Sequence, residues 1–458
     1  MTVNYVMKTL QGDMMTPISV FLSVSGKNKV LFESAAKHEE SGRYSFIAYD
    51  PIAELIGNKE SYLFRKEGEE EKREGSVFQK LRDLIPISNE SLPFSFFGGA
   101  IGYFSYDTAF YTEKIGPLLP DELNMPDVHL LFYNQFIVID HLLQKVSIVA
   151  IDLFQEGKTR EEMDEYIHQI EEQLKNGTTL IEVEKSTVEF RPSIDQETFV
   201  NMVEKAKNYI ECGDIFQVVL SQRFSSDFKG NPFSLYRRLR TSNPSPYMFY
   251  LEFDDYTILG TSPESLVKIT DGFIKTNPIA GTKPRGKTKE EDRKLEELLL
   301  SDEKELAEHR MLVDLGRNDL GRVSKVGTVN VSKYMKIEKY KYVMHIVSEV
   351  IGEKRDDVHV VDVITSCLPA GTVSGAPKIR AMQIINELEQ QKRGVYAGAI
   401  GYISINGNLD LAIAIRTMIV KDEKAYVQAG AGIVYDSIPQ SEYEETLNKM
   451  KALLEVER

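Results

Sequence analysis

Two pairs of glutamates, each pair set three residues apart, are the side chains in this sequence best placed to do chemistry. Glu305 and Glu308, in KELAEHRMLVDLGRND, and Glu442 and Glu445, in SEYEETLNK, each share one helix face, with Lys449 one further turn along the second helix. A hard cation such as Mg²⁺ takes few protein carboxylates and fills the rest of its shell with water and ligand oxygens. One Glu from each helix, facing the other, would suit that ion. A single pair of this kind is commonplace on a solvated helix face, and Asp302 before Glu305 reads equally as a cap.

Arg416 offers a different chemistry. In LDLAIAIRT, strand alternation sets Ala412, Ala414 and Arg416 on one face and Leu411, Ile413 and Ile415 on the other. A guanidinium among alanines has room above it for a planar, bidentate grip on a carboxylate, although an edge Arg reaching solvent has the same pattern. Gly430-Ala431-Gly432, one hairpin on, favours the ligand, because residues without bulky side chains let it approach backbone N–H groups. Leu368–Lys378 (LPAGTVSGAPK) sets Gly371, Thr372, Ser374 and Gly375 ahead of a helix, with Pro377 expected in its first turn. A helix start offers free N–H groups to an anion, and Thr372 and Ser374 are candidates to orient ligand oxygens; an ordinary capped helix accounts for Ser374 equally well. Together these features suit a polyanionic small molecule held partly through a metal.

The elements that must position these residues begin at Gln196, where a helix is expected to run to about Glu211, followed by a strand over Phe216–Phe224. A hairpin pairs Tyr247–Phe253 with Tyr256–Gly260. A helix spans Lys289–Leu315 with a break near Ser301–Asp302, and another covers Ile379–Leu388. A meander follows, Val395–Ile405, Leu409–Val420 and Ala425–Val434, with Asn406–Gly407 as a tight turn. The last helix, Ser441–Leu454, opens on a capping-box spacing at Ser441 and Glu444. Upstream, strands are expected at Val30–Glu33, Tyr44–Tyr49, Asn134–Asp140 and Ile148–Phe154. Arg65–Gly75 reads as a charged, solvated loop, and Thr159–Lys175 as an amphipathic helix stopped by Asn176–Gly177. The linker is placed at Thr178–Asp195, dividing an N-terminal region 1–185 from a second region 192–455. Strands and helices mix without strict βαβ alternation, so the expected class is α+β, antiparallel sheets with outer helices.

A chain of 458 residues with 42% hydrophobic and 27% charged residues can bury a large core. Its net charge of −15 leaves no basic excess for phosphate backbones, so nucleic acid is not an expected partner. An anionic small molecule stays compatible, because local Arg, Lys and metal outweigh a distant net charge. Two cysteines, Cys212 and Cys367, make neither a disulfide framework nor a Cys-based zinc site. The N-terminus lacks a basic segment followed by a long apolar run, and no stretch reaches about 18 uninterrupted apolar residues. A cytoplasmic protein without membrane contact is the expectation.

Taken in order, these strings resemble those of the chorismate-utilising enzymes, most of all their anthranilate synthase large-subunit branch, over nearly the whole chain. The resemblance implies an interlocked antiparallel β-sandwich rather than two separate domains. It implies Mg²⁺ contact for Glu308 and Glu445, with Glu305 and Glu442 supporting. Chorismate's carboxylates fall to Arg416, Tyr396 and the backbone of Gly430, Ala431 and Gly432, with Lys449 nearby. Gly281 and Thr282, in PIAGT, are further contacts; Lys283 stands where the family commonly has Arg. Glu264, in TSPES, matches the general acid that protonates the leaving ring hydroxyl; Thr372 is counted among the catalytic residues, and His345, in VMHIVSEV, is placed near the ring and implicated in later loss of pyruvate. Gln217 occupies the place where water-using relatives carry a Lys base, which fits ammonia as nucleophile and disfavours salicylate and isochorismate synthesis. Ala280 in PIAGT, where many aminodeoxychorismate synthases have Lys, separates the chain from that closest rival.

No G-x-C-x-G nucleophile segment is present, so the resemblance implies a separate glutamine amidotransferase subunit. LFES (Leu31–Ser34) and NPSPYMFY (Asn243–Tyr250) resemble the strings that line a feedback tryptophan pocket, with Ser34, Pro246, Tyr247 and Met248 as contacts; Phe32 departs from the usual Leu. A non-catalytic, tryptophan-binding paralogue is the alternative from another class. Retention of Glu264, His345, Arg416 and the four glutamates speaks against it.

Overall fold

β-Branched and aromatic runs punctuated by Gly, Asn and Asp turns fold here into strands that hydrogen-bond across the whole length of the chain. The computed structural model describes residues 3–34, 42–85, 93–177, 183, 188–340 and 343–454. Among them the strands make two sheets of 12, with the pairings throughout antiparallel. The first sheet runs from Tyr5–Gln11 through Val30–Glu33, Tyr247–Glu252, Tyr256–Ser262, Thr417–Lys421 and Lys424–Ile433 to Gln217–Asp227. The second runs from Ile279–Pro284 through Val343–Glu353, Ser265–Thr270, Leu409–Ile413, Ala399–Ser404 and Gly99–Phe104 to Glu69–Glu74.

Both halves of the sequence enter both sheets. Val30–Glu33 pairs with Tyr247–Glu252, setting Phe32 opposite Phe249, and Gly99–Phe104 pairs with Ala399–Ser404. The core between the sheets is aromatic: Phe46 meets Phe96 and Tyr402 with ring centroids 5.8 Å away in each case. Burying each such ring is worth roughly 1.5–3 kcal/mol, so the sandwich is held shut along its length. A second core lies outside the first sheet, where the helices Pro17–Ser23, Arg160–Asn176 and Pro232–Ser242 bring Phe21, Ile167 and Tyr236 onto it.

The expected helix stops are present. Thr159 and Glu162 form a capping box, Gly177 ends that helix at φ 73°, and Asp302 divides Lys289–Ser301 from Glu303–Gly321 by accepting the Lys304 and Glu305 N–H groups. Three expectations are corrected. Arg65–Gly75 is no loop: Ser61–Lys66 and Glu69–Glu74 form a hairpin at the sheet's edge, tied by Arg65 to Glu70. An edge strand tolerates charge on both faces, so it carries no apolar alternation to read. Leu409–Val420 is two strands in different sheets, broken at Arg416, whose φ is 49°. The last helix begins at Pro439, which places Ser441 inside it. Half of the expected linker, 178–182 and 184–187, lies outside the described residues; in the rest, Arg191–Pro192 pairs with Ser225 and Phe224.

Candidate active site

Two crossovers between the sheets build the site. The chain passes from Tyr256–Ser262 in the first sheet to Ser265–Thr270 in the second, and Glu264 lies at that step. It passes back from Leu409–Ile413 to Thr417–Lys421, and Arg416 lies at that step. The steps bond to each other. The Ile413 N–H donates to the Glu264 carbonyl (3.0 Å), the Ser262 hydroxyl to the Ile413 carbonyl (2.7 Å), and the Thr261 N–H to the Arg416 carbonyl (3.1 Å). A third segment joins them, since the Ala397 N–H donates to the Ala414 carbonyl at 3.0 Å and thereby sets Tyr396.

The Glu264 carboxyl is buried and accepts one hydrogen bond, from the Thr372 hydroxyl at 3.0 Å. Burial pushes its pKa up to about 8, and the Thr372 bond only partly opposes this. Glu264 therefore holds its proton at neutral pH, the state a general acid needs. If the neutral carboxyl is the working form, kcat/KM should fall as pH rises through about 8; a flat profile from pH 7 to 9.5 would sink that role.

Thr372 sits on the short 3-10 turn Gly371–Val373. The segment after it differs from expectation: Gly375–Ala376 pairs with Val218 and Gln217, and the helix Lys378–Leu388 starts only beyond Pro377. Ser374 is buried and its hydroxyl caps the Ala370 carbonyl at 2.8 Å, so it faces the protein rather than a ligand.

On the other side, Gln217 opens a strand, and its amide donates to Glu308 at 2.8 Å. Next to it runs Lys424–Ile433, whose Gly430 and Gly432 share one face while Ala431 lies buried on the other. A Cβ on Gly432 would come within 2.8 Å of the Gln217 amide nitrogen, and one on Gly430 within 2.8 Å of the Tyr396 hydroxyl. The glycines thus keep a floor open between Gln217 and Tyr396. Lys449 donates to the Gly430 carbonyl at 2.8 Å and pairs with Glu445 at 2.7 Å.

PIAGT is a bulged strand rather than a loop. Ile279–Pro284 pairs with Val343–Glu353, the register slips between Ala280 and Thr282, and Gly281 takes φ 71°. That bulge turns the Gly281 carbonyl and the Thr282 hydroxyl onto His345 Nδ1, at 3.1 and 3.0 Å. Burial holds the imidazole below its usual value against the Gly281 carbonyl, and the Arg416 charge adds to the effect. A neutral ring donating through Nδ1 leaves Nε2 as an acceptor.

Arg416 has no strand alternation to orient it; the left-handed backbone at the crossover does so. Its side chain is exposed, and among the described residues no protein group bonds its guanidinium. The four glutamates lie around the same opening. Burial and then the Glu308 charge lift the Glu305 carboxyl, while burial and the Glu445 charge lift that of Glu442 against a Ser437 bond. The Lys304 charge acts on both Glu305 and Glu442, so the two helices face a common gap. Among the described residues no three acidic, His or Cys side chains close a metal site by themselves. Two repelling carboxylate pairs with the Lys304 ammonium acting on both suit a cation whose shell is completed by a bound anion.

The LFES and NPSPYMFY strands pair with each other and border a separate cavity of about 610 Å³ between the sheets. Phe32, Ser34, Pro246, Tyr247 and Phe249 line one wall, and Lys268, paired to Asp410 at 2.9 Å, lies on the other. Met248 does not line this cavity: alternation turns it to the opposite face, into the outer core beneath the helices. Reading the sequence also missed a buried ion pair behind Tyr396, Arg393 with Glu389 at 2.7 Å. QKRG carries no pattern that sets a buried Arg apart from an exposed one.

A model of chorismate binding enzymes matches residues 27–455. The chain belongs to that family. Within it, the chain is similar to anthranilate synthase component 1 of Aquifex aeolicus, with 47% identity over 456 residues, 96% of this chain and 92% of the relative. It is similar as well to the component 1 of Lactococcus lactis, with 46% identity over 98% of this chain and 99% of the relative. The crystal structure of anthranilate synthase component I from Streptococcus pneumoniae superposes with a TM-score of 0.84 at 43% identity, covering 97% and 98% of the two chains. The menaquinone-specific isochorismate synthase MenF of Escherichia coli shares the fold, with a TM-score of 0.74 at 18% identity over 99% of this chain and 94% of that one.

Proposed function

We propose that this cleft converts chorismate and ammonia into anthranilate, pyruvate and water. The observation that carries the reading is the pairing of a buried, protonated Glu264 with a Gln217 that cannot act as a base. An acid is ready for the leaving hydroxyl, and the nucleophile must arrive already competent. Ammonia satisfies that and water does not. Thr372 orients the acid, Arg416 and the glycine floor receive the carboxylates, and His345 offers Nε2 to the proton moved when pyruvate leaves. Incubating the protein with chorismate, Mg²⁺ and ammonium and following anthranilate fluorescence tests the reading. An aminated product that retains its enolpyruvyl group would instead favour aminodeoxychorismate synthesis.

Mg²⁺ would be held by Glu308 and Glu445, supported by Glu305 and Glu442, and would neutralise a substrate carboxylate beside those glutamates. Glu308→Ala or Glu445→Ala should raise the Mg²⁺ concentration needed for half-maximal rate by about tenfold or more. Stability should change little for Glu445→Ala, since surface helix substitutions usually stay within about 0.5 kcal/mol, whereas Glu308→Ala also leaves the buried Gln217 amide without its acceptor, which costs about 1–3 kcal/mol. Wild-type rates at limiting Mg²⁺ would refute the assignment.

The ammonia would come from a separate glutamine amidotransferase subunit. Cys212 is exposed at a helix end, and Cys367 is buried with its thiol pushed well up by burial, so neither resembles a glutaminase nucleophile. Tryptophan would occupy the cavity between the sheets and inhibit by preferring one of two conformations. Ser34→Leu should fill part of that cavity, raising the inhibitory tryptophan concentration about tenfold or more while the uninhibited rate stays near wild type. Equal sensitivity in a tryptophan titration would place the effector elsewhere.

A further inference from the structure

Three parts of the cleft hang from one buried side chain. Arg393 is 2% exposed, and its guanidinium spends its donors on backbone and carboxylate. Nη1 donates to the Val373 carbonyl and Nη2 to the Val219 carbonyl, both at 2.7 Å. Nε and Nη2 grip the Glu389 carboxylate at 2.8 and 2.7 Å. That carboxylate in turn accepts the N–H and hydroxyl of Ser221, at 2.8 and 2.9 Å. The guanidinium lies 4.7 Å from the Tyr106 ring and 5.7 Å from the Tyr396 ring.

Each of these points adjoins a residue of the cleft. Val373 follows Thr372, the partner of Glu264. Val219 and Ser221 lie on the strand of Gln217, facing Gly432 and Gly430 across the ladder. Tyr396 stands against Gly430. The acid side and the nucleophile side come from segments far apart in sequence, and their backbones already meet where Gly375–Ala376 pairs with Gln217 and Val218 and the Phe216 N–H donates to the Ala376 carbonyl at 2.8 Å. The Val219 N–H to the Ser374 carbonyl, at 2.9 Å, continues that pairing, and Arg393 adds the side-chain tie from beneath.

We infer that Arg393, clamped by Glu389, is the positioning residue that sets the distance between the Thr372–Glu264 acid and the Gln217–Gly432 floor. A guanidinium can reach two carbonyls and a carboxylate at once because its donors are spread around a rigid plane; an ammonium cannot hold the same fork. The inference rests on the proposed reaction for its kinetic consequence, while its structural consequence stands apart from it.

The test compares wild type with Arg393→Lys, which keeps the charge and loses the fork. A second variant, Arg393→Met with Glu389→Met, removes both charges together and leaves no unpaired buried ion if the first fails to fold. Three quantities are measured on folded protein: kcat with chorismate and ammonium, the alkaline limb of kcat, and hydrogen exchange of peptides covering 370–374, 217–222 and the distant strand 145–151. We expect kcat to fall about 10- to 100-fold, as small misplacements of reacting groups do. The alkaline limb should move to higher pH as the Thr372 bond to Glu264 loosens. Exchange should quicken in 370–374 and 217–222 but not in 145–151. A merely structural pair would lower the melting temperature and leave the limb and the local exchange of the folded protein unchanged; that result overturns the inference. A wild type inert towards chorismate would refute the proposed reaction, and the exchange comparison would still decide the positioning role.

Discussion

Replacing Glu264 by Gln is expected to cut turnover by about 10²-fold or more, the range lost with a general acid, and to make the protein more stable at alkaline pH. The two effects share one cause. The side chain is buried with Thr372 as its hydrogen-bond partner, so the fold keeps a proton that the unfolded chain releases. Between the ordinary carboxyl value of 4.5 and about 8, the folded form binds more protons than the unfolded one. Stability from this group is therefore fully present below the unfolded value and is lost as pH rises through the folded one. Each tenfold change in proton affinity is about 1.4 kcal/mol, so ionising Glu264 in the fold costs on the order of a few kcal/mol. Gln never ionises, and it can still accept the Thr372 hydroxyl through its carbonyl. Melting temperatures at pH 6 and pH 9 check this: the variant should gain on wild type at the higher pH. Near-normal turnover, or a variant that melts lower than wild type at both pH values, would remove Glu264 from the acid role.

Arg416→Gln is expected to raise KM for chorismate by about 10- to 100-fold, since a hydrogen bond to a charged group is worth about 1.5–3 kcal/mol. The melting temperature should hardly move. Among the described residues the guanidinium has no protein partner to lose, and the backbone that holds φ at 49° is fixed by the crossover bonds rather than by the side chain. A stabilising Arg would show the reverse, a lowered melting temperature with KM intact. Steady-state kinetics beside a thermal melt distinguishes the two.

Much of this protein was legible because its chemistry is written locally. Helix starts and stops depend on near neighbours, so a start at Thr159, a break at Asp302 and a stop at Gly177 could be placed from their surroundings. Glycines at 430 and 432 announced a surface needing close approach, and a Cβ at either would meet a side chain of the cleft. Gln217 and the paired glutamates were readable as residue types whose chemistry either permits or excludes a role.

What the sequence could not decide was everything set by a distant strand. Arg416 reads as one member of an alternating strand, because nothing in LDLAIAIRT says that the chain changes sheets there; the change is enforced by Glu264 and Thr261, far upstream. Met248 reads as a pocket contact beside Tyr247, and only pairing with Glu33 shows which face of the sheet holds the cavity. The charged run Arg65–Gly75 became a hairpin because an edge strand needs a partner, not an apolar face. Glu264 is the sharpest case. Its identity marks it as an acid at any position, but a proton retained to about pH 8 comes from burial at the meeting of two crossovers. Residue types and their near neighbours determined which chemistry was possible; desolvation and strand pairing between remote segments decided where, and in what protonation state, it can occur.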